Sequence, residues 1–391
     1  MRQASRRIAR LPASPTLAIS ARAKELAAAG RDVLNLSIGE PDFDTPAFIC
    51  RAAGEALERG ETRYTATDGT AELKQAIAAK LKRENDLAYE SQEIIATSGA
   101  KQALFNACLA ALNPGDEVLI PAPYWVSYPA QVQLAEAEPV ILPCPAEQEF
   151  KLTPEALEQA ITPHTRMLII NSPNNPSGAV YSRAELAALG EVLVRHENVL
   201  MVSDDIYEHL VYSALPFCNI VMATPALRER TLVVNGVSKA YAMTGWRLGY
   251  AAGPAWLIGA MKRLQSQSTS NPTSISQVAA QAALEGDQAC VSNMLKAFKK
   301  RHDHVVERLN RIEGVSCLPA QGTFYAFPEI SGLIERLPVR NDVELTRYLL
   351  EQVGVALVPG SAFGSPGYMR LSFATSMANL DEALDRLEKV K

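Results

Sequence analysis

The amino-acid sequence predicts an α/β protein, in which a three-layer domain with a mostly parallel sheet is followed by a smaller α+β domain. Three observations support this fold class. The chain has 391 residues, which is enough for two domains. Through its middle, short β-branched or apolar segments alternate with helical ones, as is typical of a parallel sheet covered by helices on both faces. After about residue 290 the alternation ends, and a long charged helix precedes short strands.

An arginine-rich arm begins the chain, and a helix is predicted after it over residues 16–30. Arg2, Arg6, Arg7 and Arg10 precede the first acidic residue, which gives the arm the composition of a transit peptide. No apolar segment of the kind found in secretory signal peptides accompanies them. We interpret these residues as a basic arm, with a targeting segment as the alternative.

The middle of the chain predicts alternating helices and strands. Leu73, Ile77 and Leu81 recur every four residues and predict one face of a helix, for which Thr70 is a suitable N-cap. The segment Ile94–Thr97 predicts a strand. The turn 98–101 and a helix ending at residue 111 follow it; further strands are predicted at 118–120, 140–142, 167–170, 199–202 and 232–234, and helices near 124–137, 153–161, 183–196 and 224–230.

The change of pattern near residue 290 marks a predicted domain boundary. We expect residues 46–289 to form the large domain and residues 290–391 the small one, with residues 1–45 as an arm that also contributes to the small domain. In the small domain, a helix is predicted over 293–311, and strands at 324–327, 355–358 and 369–372.

Composition and charge exclude several classes of protein. The net charge of −5 argues against a nucleic-acid binder, and no apolar run reaches the roughly 18 residues of a membrane helix. The six cysteines have neither zinc-site nor redox spacing, so we expect reduced thiols in the cytoplasm. His302 and His304 would point away from each other on a helix. We predict that both are surface residues and that the protein has no metal site.

Polar residues cluster where the predicted strands end. The segments Ser98–Lys101, Asn171–Gly178, Ser203–Tyr207 and Asn235–Lys239 each follow a strand. Ligands bind at the carboxyl ends of the strands in sheets of this kind. Together these four segments would supply an anion cradle, amides, a carboxylate, a phenol and a lysine.

This set of groups matches the requirements of pyridoxal phosphate (PLP). The PLP aldehyde forms a Schiff base with a lysine, and a carboxylate keeps its ring nitrogen protonated. Its phosphate needs backbone N–H groups at a helix N-terminus and a cation, and its ring stacks on an aromatic side chain. The candidates, in that order, are Lys239, Asp204, Ser98 with Gly99, Ala100 and Arg247, and Trp125 or Tyr124.

Five segments resemble motifs of the class I aminotransferases, which are PLP enzymes of fold type I. The segment SKAYAMTGWRLGY (238–250) resembles the family's PLP-lysine signature. PNNPSG (173–178) resembles its asparagine motif, and DDIYEHL (204–210) its aspartate–tyrosine motif. PAPYWVSYP (121–129) and GEPDF (39–43) are similar to the bacterial aspartate aminotransferase branch, which includes enzymes that also act on prephenate.

The resemblance extends over about residues 14–390 and implies a role for individual residues. It implies that Lys239 binds PLP and later acts as the base that moves the substrate proton. Asp204 would face the pyridine nitrogen, and Asn175 and Tyr207 would donate hydrogen bonds to the ring hydroxyl oxygen.

The resemblance also implies how phosphate, ring and substrate are held. Trp125 would stack on the ring, and Tyr64 would reach the phosphate of the other subunit, which implies a homodimer. Arg370 would bind the substrate α-carboxylate with two parallel hydrogen bonds. The expected phosphate contacts are Ser98, Gly99, Ala100, Ser238 and Arg247, and the other expected substrate contacts are Gly39, Trp125 and Asn175.

The chain departs from the family pattern at three places. Gly236 stands where the family often has a phosphate-binding serine, so Ser238 or backbone groups are expected to replace it. The asparagine motif ends in Ser177-Gly178 rather than in the commoner Thr-Gly. Relatives with dual aspartate and prephenate activity usually carry a lysine where this chain has Leu11-Pro12, and Arg10 is the nearest cation.

Aspartate and glutamate require a second cation for the distal carboxylate. One branch of the family takes an arginine from the partner subunit, but no lysine or arginine lies between Arg263 and Lys296 here. Lys101 is therefore the candidate.

The resemblance thus implies a homodimeric aspartate:2-oxoglutarate aminotransferase that acts on amino acids and 2-oxo acids. The alternatives are the same reaction with prephenate/arogenate, alanine or aromatic substrates, or a PLP-dependent β-lyase or decarboxylase. The PLP-binding half of a transcription regulator is disfavoured, because such proteins carry a basic winged-helix domain ahead of the aminotransferase-like part.

Overall fold

The structure, a computed structural model, describes residues 4–11, 15–214 and 216–390. Its strands are β1 (Leu34–Asn35), β2 (Ile94–Thr97), β3 (Glu117–Ala122), β4 (Glu138–Pro143), β5 (Thr165–Asn171), β6 (Leu200–Asp204), β7 (Thr231–Gly236), β8 (Gly249–Ala252), β9 (Tyr325–Ala326), β10 (Val355–Ala356), β11 (Val358–Pro359) and β12 (Met369–Ser372). Its α-helices are α1 (Arg6–Ala9), α2 (Pro15–Ala28), α3 (Ala47–Glu58), α4 (Ala71–Asn85), α5 (Ala100–Ala111), α6 (Tyr128–Leu134), α7 (Pro154–Ala160), α8 (Arg183–Arg195), α9 (Ile220–Ala223), α10 (Ala255–Ser266), α11 (Ser274–Glu285), α12 (Ala289–Leu309), α13 (Ser331–Arg336), α14 (Asp342–Val353) and α15 (Met377–Glu388).

A seven-stranded sheet forms the centre of the larger part of the molecule. Its strand order is β2-β8-β7-β6-β5-β3-β4, and all neighbours are parallel except β8, which is antiparallel to both β2 and β7. The α/β class and the mostly parallel sheet predicted from the sequence are therefore confirmed. β8 was not predicted, because its segment Gly-Tyr-Ala-Ala has little of the β-branched character that marks the other strands.

Alternate side chains of the central strands enter two different cores, one on each face of the sheet. Leu119 and Leu168 belong to one core, whereas Val118 and Met167 belong to the other. Helices α3, α4 and α11 pack together, and α5 packs on α10, which completes the three layers. None of the described helices is both long and apolar enough to cross a membrane.

The C-terminal part contains a small antiparallel sheet, β11-β12-β9, and the helices α12 to α15. The N-terminal segment joins this part, since β1 pairs in parallel with β10 and Leu36 belongs to the same apolar core as Phe298. An N-terminal arm that contributes to the small domain, as predicted, requires pairing of this kind. The residue boundaries 45/46 and 289/290 remain predictions.

Several predicted elements differ in the structure. His302 is buried rather than exposed, because it lies on the inner face of α12 between the rings of Tyr212 and Phe373. The predicted strand 355–358 is split into β10 and β11 at Leu357. The helix predicted over 124–137 is limited to α6, and residues 225–230 form a 3₁₀ helix.

A buried ion pair joins α4 to the loop after β6. The Lys80 side chain is fully buried and contacts the Glu208 carboxylate. Asn85 and Asn235 also donate hydrogen bonds to that carboxylate, at 3.0 and 2.8 Å. Burial alone would raise the pKa of Glu208, but the Lys80 ammonium holds it below its usual range. His209 and Glu84 complete the cluster. The Lys80 ammonium supplies the positive charge that a metal ion would otherwise supply to these carboxylates.

We expect Lys80→Ala to cost about 3–5 kcal/mol of unfolding free energy, because it leaves the Glu208 charge buried without its partner. The measurement is the midpoint of urea unfolding. The control is Lys82→Ala on the same helix, which removes only an exposed pair with Asp86 and should change the midpoint little. Equal effects of the two variants would contradict the prediction.

Candidate functional site

A cavity of about 500 Å³ lies where the carboxyl ends of the central strands meet the C-terminal part. Most of the residues singled out in the sequence line it, and they come from segments far apart in the chain. Those residues are Gly39, Ala100, Lys101, Trp125, Asn175, Asp204, Tyr207, Ser238, Lys239, Arg247 and Arg370.

Lys239 follows β7, and its ammonium is buried in this cavity. Nζ donates a hydrogen bond of 2.5 Å to the backbone carbonyl of Gly39. Burial, together with the cations of Arg370, Arg247 and Lys101, lowers the pKa of Lys239 to about 8, against the opposing charge of Glu40. A lysine with a lowered pKa supplies a larger fraction of neutral, nucleophilic amine near neutral pH.

The loop that carries Lys239 is held in an unusual backbone conformation. Ala242 and Arg247 have positive φ values of 51° and 53°, which residues with a side chain rarely adopt. The Thr45 hydroxyl makes two of the hydrogen bonds that join this loop to the segment before α3. Thr45 Oγ1 donates to the Ala242 carbonyl at 2.7 Å and accepts from Trp246 Nε1 at 3.0 Å. The position of Lys239 therefore depends on contacts about 200 residues away in the sequence.

Asp204, the last residue of β6, is a buried carboxylate at the floor of the cavity. The Tyr128 hydroxyl donates to Asp204 Oδ2 at 2.6 Å. Burial raises the pKa of Asp204 to about 6, although this hydrogen bond and the Lys239 charge oppose the rise. Asp205 points to the opposite side, where Ser203 and Asn219 donate to it. Asp204 is thus the carboxylate available to a ligand.

The N-terminus of α5 forms a cradle suited to an anion. Gly99 is its N-cap with φ 86°, and a side chain there would collide with the Arg247 guanidinium. Helix N-termini offer unpaired N–H groups to anions, and Arg247 adds a positive charge. Gly249 of β8 approaches Ala100 so closely that only glycine fits. A side chain at Gly236 would also collide with the backbone of β8, which explains why this position lacks the serine that is common in the family.

Arg370 lies on β12 and is 4 % exposed. Nη1 donates to Asn175 Oδ1 at 2.9 Å, and Nη2 donates to the Ser37 carbonyl at 2.6 Å. Its Nε is buried without a partner among the described residues. The guanidinium thus retains a donor that an incoming carboxylate can satisfy.

Lys101, an exposed residue at the start of α5, also lines this cavity. Its Nζ is 4.9 Å from the centre of the Trp125 ring. Partial burial lowers the pKa of Lys101, and the charge of Arg247 adds to this effect. Because Arg370 also lines the cavity, two cations are available to one ligand.

Four predicted site residues do not line the cavity. Tyr124, the alternative to Trp125, borders a small separate pocket. Ser98 and Gly99 lie just outside it, and the Ser98 carbonyl accepts a hydrogen bond from Arg247 Nη2 at 3.4 Å. Tyr64 is 91 % exposed and borders a separate surface depression with Arg63 and Asn271. Within one chain, Tyr64 therefore contributes nothing to the cavity.

The structure also adds residues that sequence analysis did not assign. Tyr128 contacts Asp204, and Asn171 donates to the Asp204 carbonyl at 2.9 Å. Tyr325 lines the cavity next to Tyr207 and Arg370. Tyr128 and Asn171 lay within segments already singled out, whereas nothing in the sequence around Tyr325 marks it apart from an ordinary strand.

These groups fit pyridoxal phosphate. The Gly99 cradle with Arg247 suits a phosphate, Asp204 suits a protonated ring nitrogen, and Lys239 has the chemistry to bind an aldehyde. The partnerless Nε of Arg370 suits the carboxylate of an amino acid.

The chain was compared with known proteins. The family model "Aminotransferase class I and II" matches residues 31–387. An aspartate/prephenate aminotransferase from Nitrosomonas europaea is 54 % identical over 389 residues, 98 % of each chain. The aspartate aminotransferase structure from Rhizobium meliloti matches with a TM-score of 0.96 and 50 % identity over 99 % of this chain and 98 % of that one. The Thermus thermophilus aspartate aminotransferase with maleate matches with a TM-score of 0.94 and 43 % identity over the whole of both chains.

We expect the amine of Lys239 to react with trace acetic anhydride with a half-maximum near pH 8 in the cofactor-free protein, because burial and nearby cations disfavour its charged form. Peptide mapping across a pH series measures this reaction. Arg370→Gln should raise the half-maximum, since it removes a repelling cation, whereas Arg340→Gln at the exposed Glu344 pair should not. A half-maximum in the ordinary lysine range would show the prediction to be wrong.

Proposed function

Because the chain belongs to the class I and II aminotransferase family, we propose that it is an aspartate aminotransferase. It would transfer the amino group of L-aspartate to 2-oxoglutarate, with oxaloacetate and L-glutamate as products. The observation that carries this proposal is the pair of cations, Lys101 and Arg370, that line one cavity with the buried Lys239. Relatives and structures named as aspartate aminotransferases, at 43–54 % identity over nearly the full length, support it.

We infer that PLP is the cofactor. When bound, PLP supplies an aldehyde that exchanges amines and a ring that withdraws electrons from the reacting carbon. Arg247 and the start of α5 would hold the phosphate, Trp125 would cover the ring, and Ser238 would add a hydroxyl next to the lysine.

The chain's own residues then hold and move protons. Lys239 would bind the aldehyde and, once displaced by the substrate amine, would take the proton from the substrate α-carbon and return it to the cofactor carbon. Asp204 would keep the pyridine nitrogen protonated, and the charge of that nitrogen would lower the pKa that burial has raised. Asn175 and Tyr207 would contact the ring hydroxyl oxygen.

The two cations explain a preference for dicarboxylic substrates. Arg370 would bind the α-carboxylate that every amino acid carries, and Lys101 the distal carboxylate that aspartate and glutamate add. The Thermus thermophilus neighbour was solved with maleate, itself a dicarboxylate. Gly39, Trp125 and Asn175 would complete the substrate contacts.

A second candidate substrate is prephenate, because the name of the Nitrosomonas europaea relative includes it. The lysine usual in dual-specificity relatives is absent at Leu11-Pro12. Pro12 lies outside the described residues, and Arg10 is an exposed residue at the end of α1. Arg10 is thus the nearest cation of the arm that could replace the missing lysine.

We also propose a homodimer. Tyr64 is 91 % exposed, which is unusual for a large aromatic side chain and expected if it enters a neighbouring subunit. There it would reach the phosphate, as in the family pattern. The six cysteines are free, which fits the cytoplasm that we propose as the location.

Borohydride reduction of the PLP-loaded protein is expected to attach the cofactor permanently to Lys239, because this lysine is buried beside Asp204 and has a lowered pKa. Peptide mapping identifies the labelled residue. A label on Lys101 or any other lysine would overturn the cofactor assignment.

Lys101→Ala is expected to lower kcat/KM for aspartate and glutamate by roughly 10- to 100-fold and to leave alanine and phenylalanine nearly unchanged, since only the dicarboxylic acids lose an ion partner. Arg370→Ala should lower kcat/KM for all four. Steady-state rates with 2-oxo acid acceptors measure both effects.

The control for this pair of variants is Lys82→Ala, which removes an exposed lysine elsewhere and should leave all four rates unchanged. If Lys101→Ala weakened acidic and neutral amino acids equally, Lys101 would have no part in selecting dicarboxylates. Arg10 would then be the next residue to change.

A further inference from the structure

Tyr325 lines the cavity and connects the C-terminal sheet to the loop after β6. It belongs to β9 and pairs with Ser372 of β12, the strand that carries Arg370. Its side chain is 1 % exposed, and its hydroxyl oxygen is 2.9 Å from that of Tyr207. A residue of the C-terminal sheet thus contacts the loop that follows Asp204.

The hydroxyl of Tyr325 is closely confined. A side chain at Gly39 would collide with it, so glycine is required there for steric reasons. The Arg370 guanidinium lies 4.4 Å from the centre of the Tyr325 ring, a cation–π distance. Among the described residues, the Tyr207 hydroxyl is the hydrogen-bond partner of the Tyr325 hydroxyl. Tyr325 therefore touches three groups for which we propose functions.

We propose that Tyr325 is a positioning residue whose hydroxyl donates to the Tyr207 hydroxyl, so that Tyr207 directs its own proton at the ring hydroxyl oxygen of bound PLP. The inference rests on the proposed function, because it requires PLP on Lys239. Tyr325 would thus lower the pKa of the cofactor's ring hydroxyl, and it would do so through Tyr207.

The direction of the hydrogen bond between Tyr325 and Tyr207 follows from the number of protons that the two phenols can donate. Burial raises the pKa of both phenols, so each keeps its single proton. If Tyr207 gives its proton to the cofactor, it can only accept from Tyr325. A hydroxyl that accepts one hydrogen bond becomes a stronger donor in the next, because the bonds polarise each other.

Arg370 strengthens the effect. Burial raises the pKa of Tyr325, but the Arg370 cation opposes that rise and makes the phenol a better donor. Arg370 would also bind the substrate carboxylate. Tyr325 consequently links the substrate side of the cavity to the cofactor side. Its ring contacts Arg370 and its hydroxyl contacts Tyr207, so the two contacts can be removed separately.

The test uses the PLP-loaded protein and two substitutions. Tyr325→Phe keeps the ring under Arg370 and removes the donor to Tyr207, so the cofactor's ring hydroxyl retains its proton to higher pH. The midpoint of the pH-dependent change in cofactor absorbance should rise by roughly 0.3–1 pH unit, the scale of one weakened hydrogen bond. KM for aspartate should stay close to that of the unmodified protein. Tyr325→Leu also removes the ring and should raise this KM by roughly 3- to 30-fold.

Two controls separate this role from general damage. Tyr181→Phe removes another buried hydroxyl, one that accepts from the Leu152 N–H at 2.7 Å away from the cavity, and should leave the absorbance midpoint unchanged. Tyr207→Phe should raise the midpoint by itself. Because Tyr325 acts through Tyr207, adding Tyr325→Phe to Tyr207→Phe should then produce no further shift.

The outcomes distinguish the inference from the function on which it rests. If the unmodified protein formed no PLP adduct, the proposed function would fail and the inference with it. If PLP bound and Tyr207→Phe moved the midpoint while Tyr325→Phe did not, the inference alone would be overturned. An additional shift from Tyr325→Phe in the Tyr207→Phe background would also overturn it.

Discussion

The repulsion between Lys239 and the positive charges around it is the constraint on which the rest of the site depends. Four cationic side chains line one cavity: Lys101, Lys239, Arg247 and Arg370. Asp204 and Glu40 are the carboxylates that line it with them. Cations held close together repel each other, and this repulsion is costly unless anions compensate it. A phosphate and one or two substrate carboxylates would supply that compensation, so relief of this repulsion would contribute to the binding energy of an anionic cofactor and substrate.

The fold brings these charged groups together from segments far apart in the chain. Asp204 ends β6, Lys239 lies in the loop after the neighbouring parallel strand β7, and Arg370 lies on a strand of the C-terminal sheet. The hydroxyl of Thr45 holds the loop that carries Lys239, and the Lys80–Glu208 pair anchors the loop after Asp204.

The sequence predicted the strand ends well, and with them most of the cavity. Strands such as Ile94–Thr97 carry a local signal, and the polar segments that follow them are contiguous in the chain. It did not predict what depends on contacts between distant segments. Tyr325, Thr45 and the buried His302 have ordinary neighbours in the sequence and acquire their environment only when α12, β9 and the segment before α3 come together. β8 was not predicted for a different reason. Its close approach to Ala100 requires a small residue there, so its sequence does not show the β propensity of the other strands.

The division of the cavity between two sheets has an evolutionary consequence. Lys239, Asp204 and the phosphate cradle belong to the seven-stranded sheet, whereas Arg370 and Tyr325 belong to the small one. Replacements in the small sheet can alter how the α-carboxylate common to all amino acids is held, while the groups suited to the cofactor remain in place. Selection can therefore act on α-carboxylate binding and on cofactor chemistry as nearly separate traits, and the Tyr207–Tyr325 contact is one point where a change in one affects the other. Lys101 lies at the start of α5 next to the anion cradle, so the choice between dicarboxylic and neutral acids stays with the larger part of the molecule.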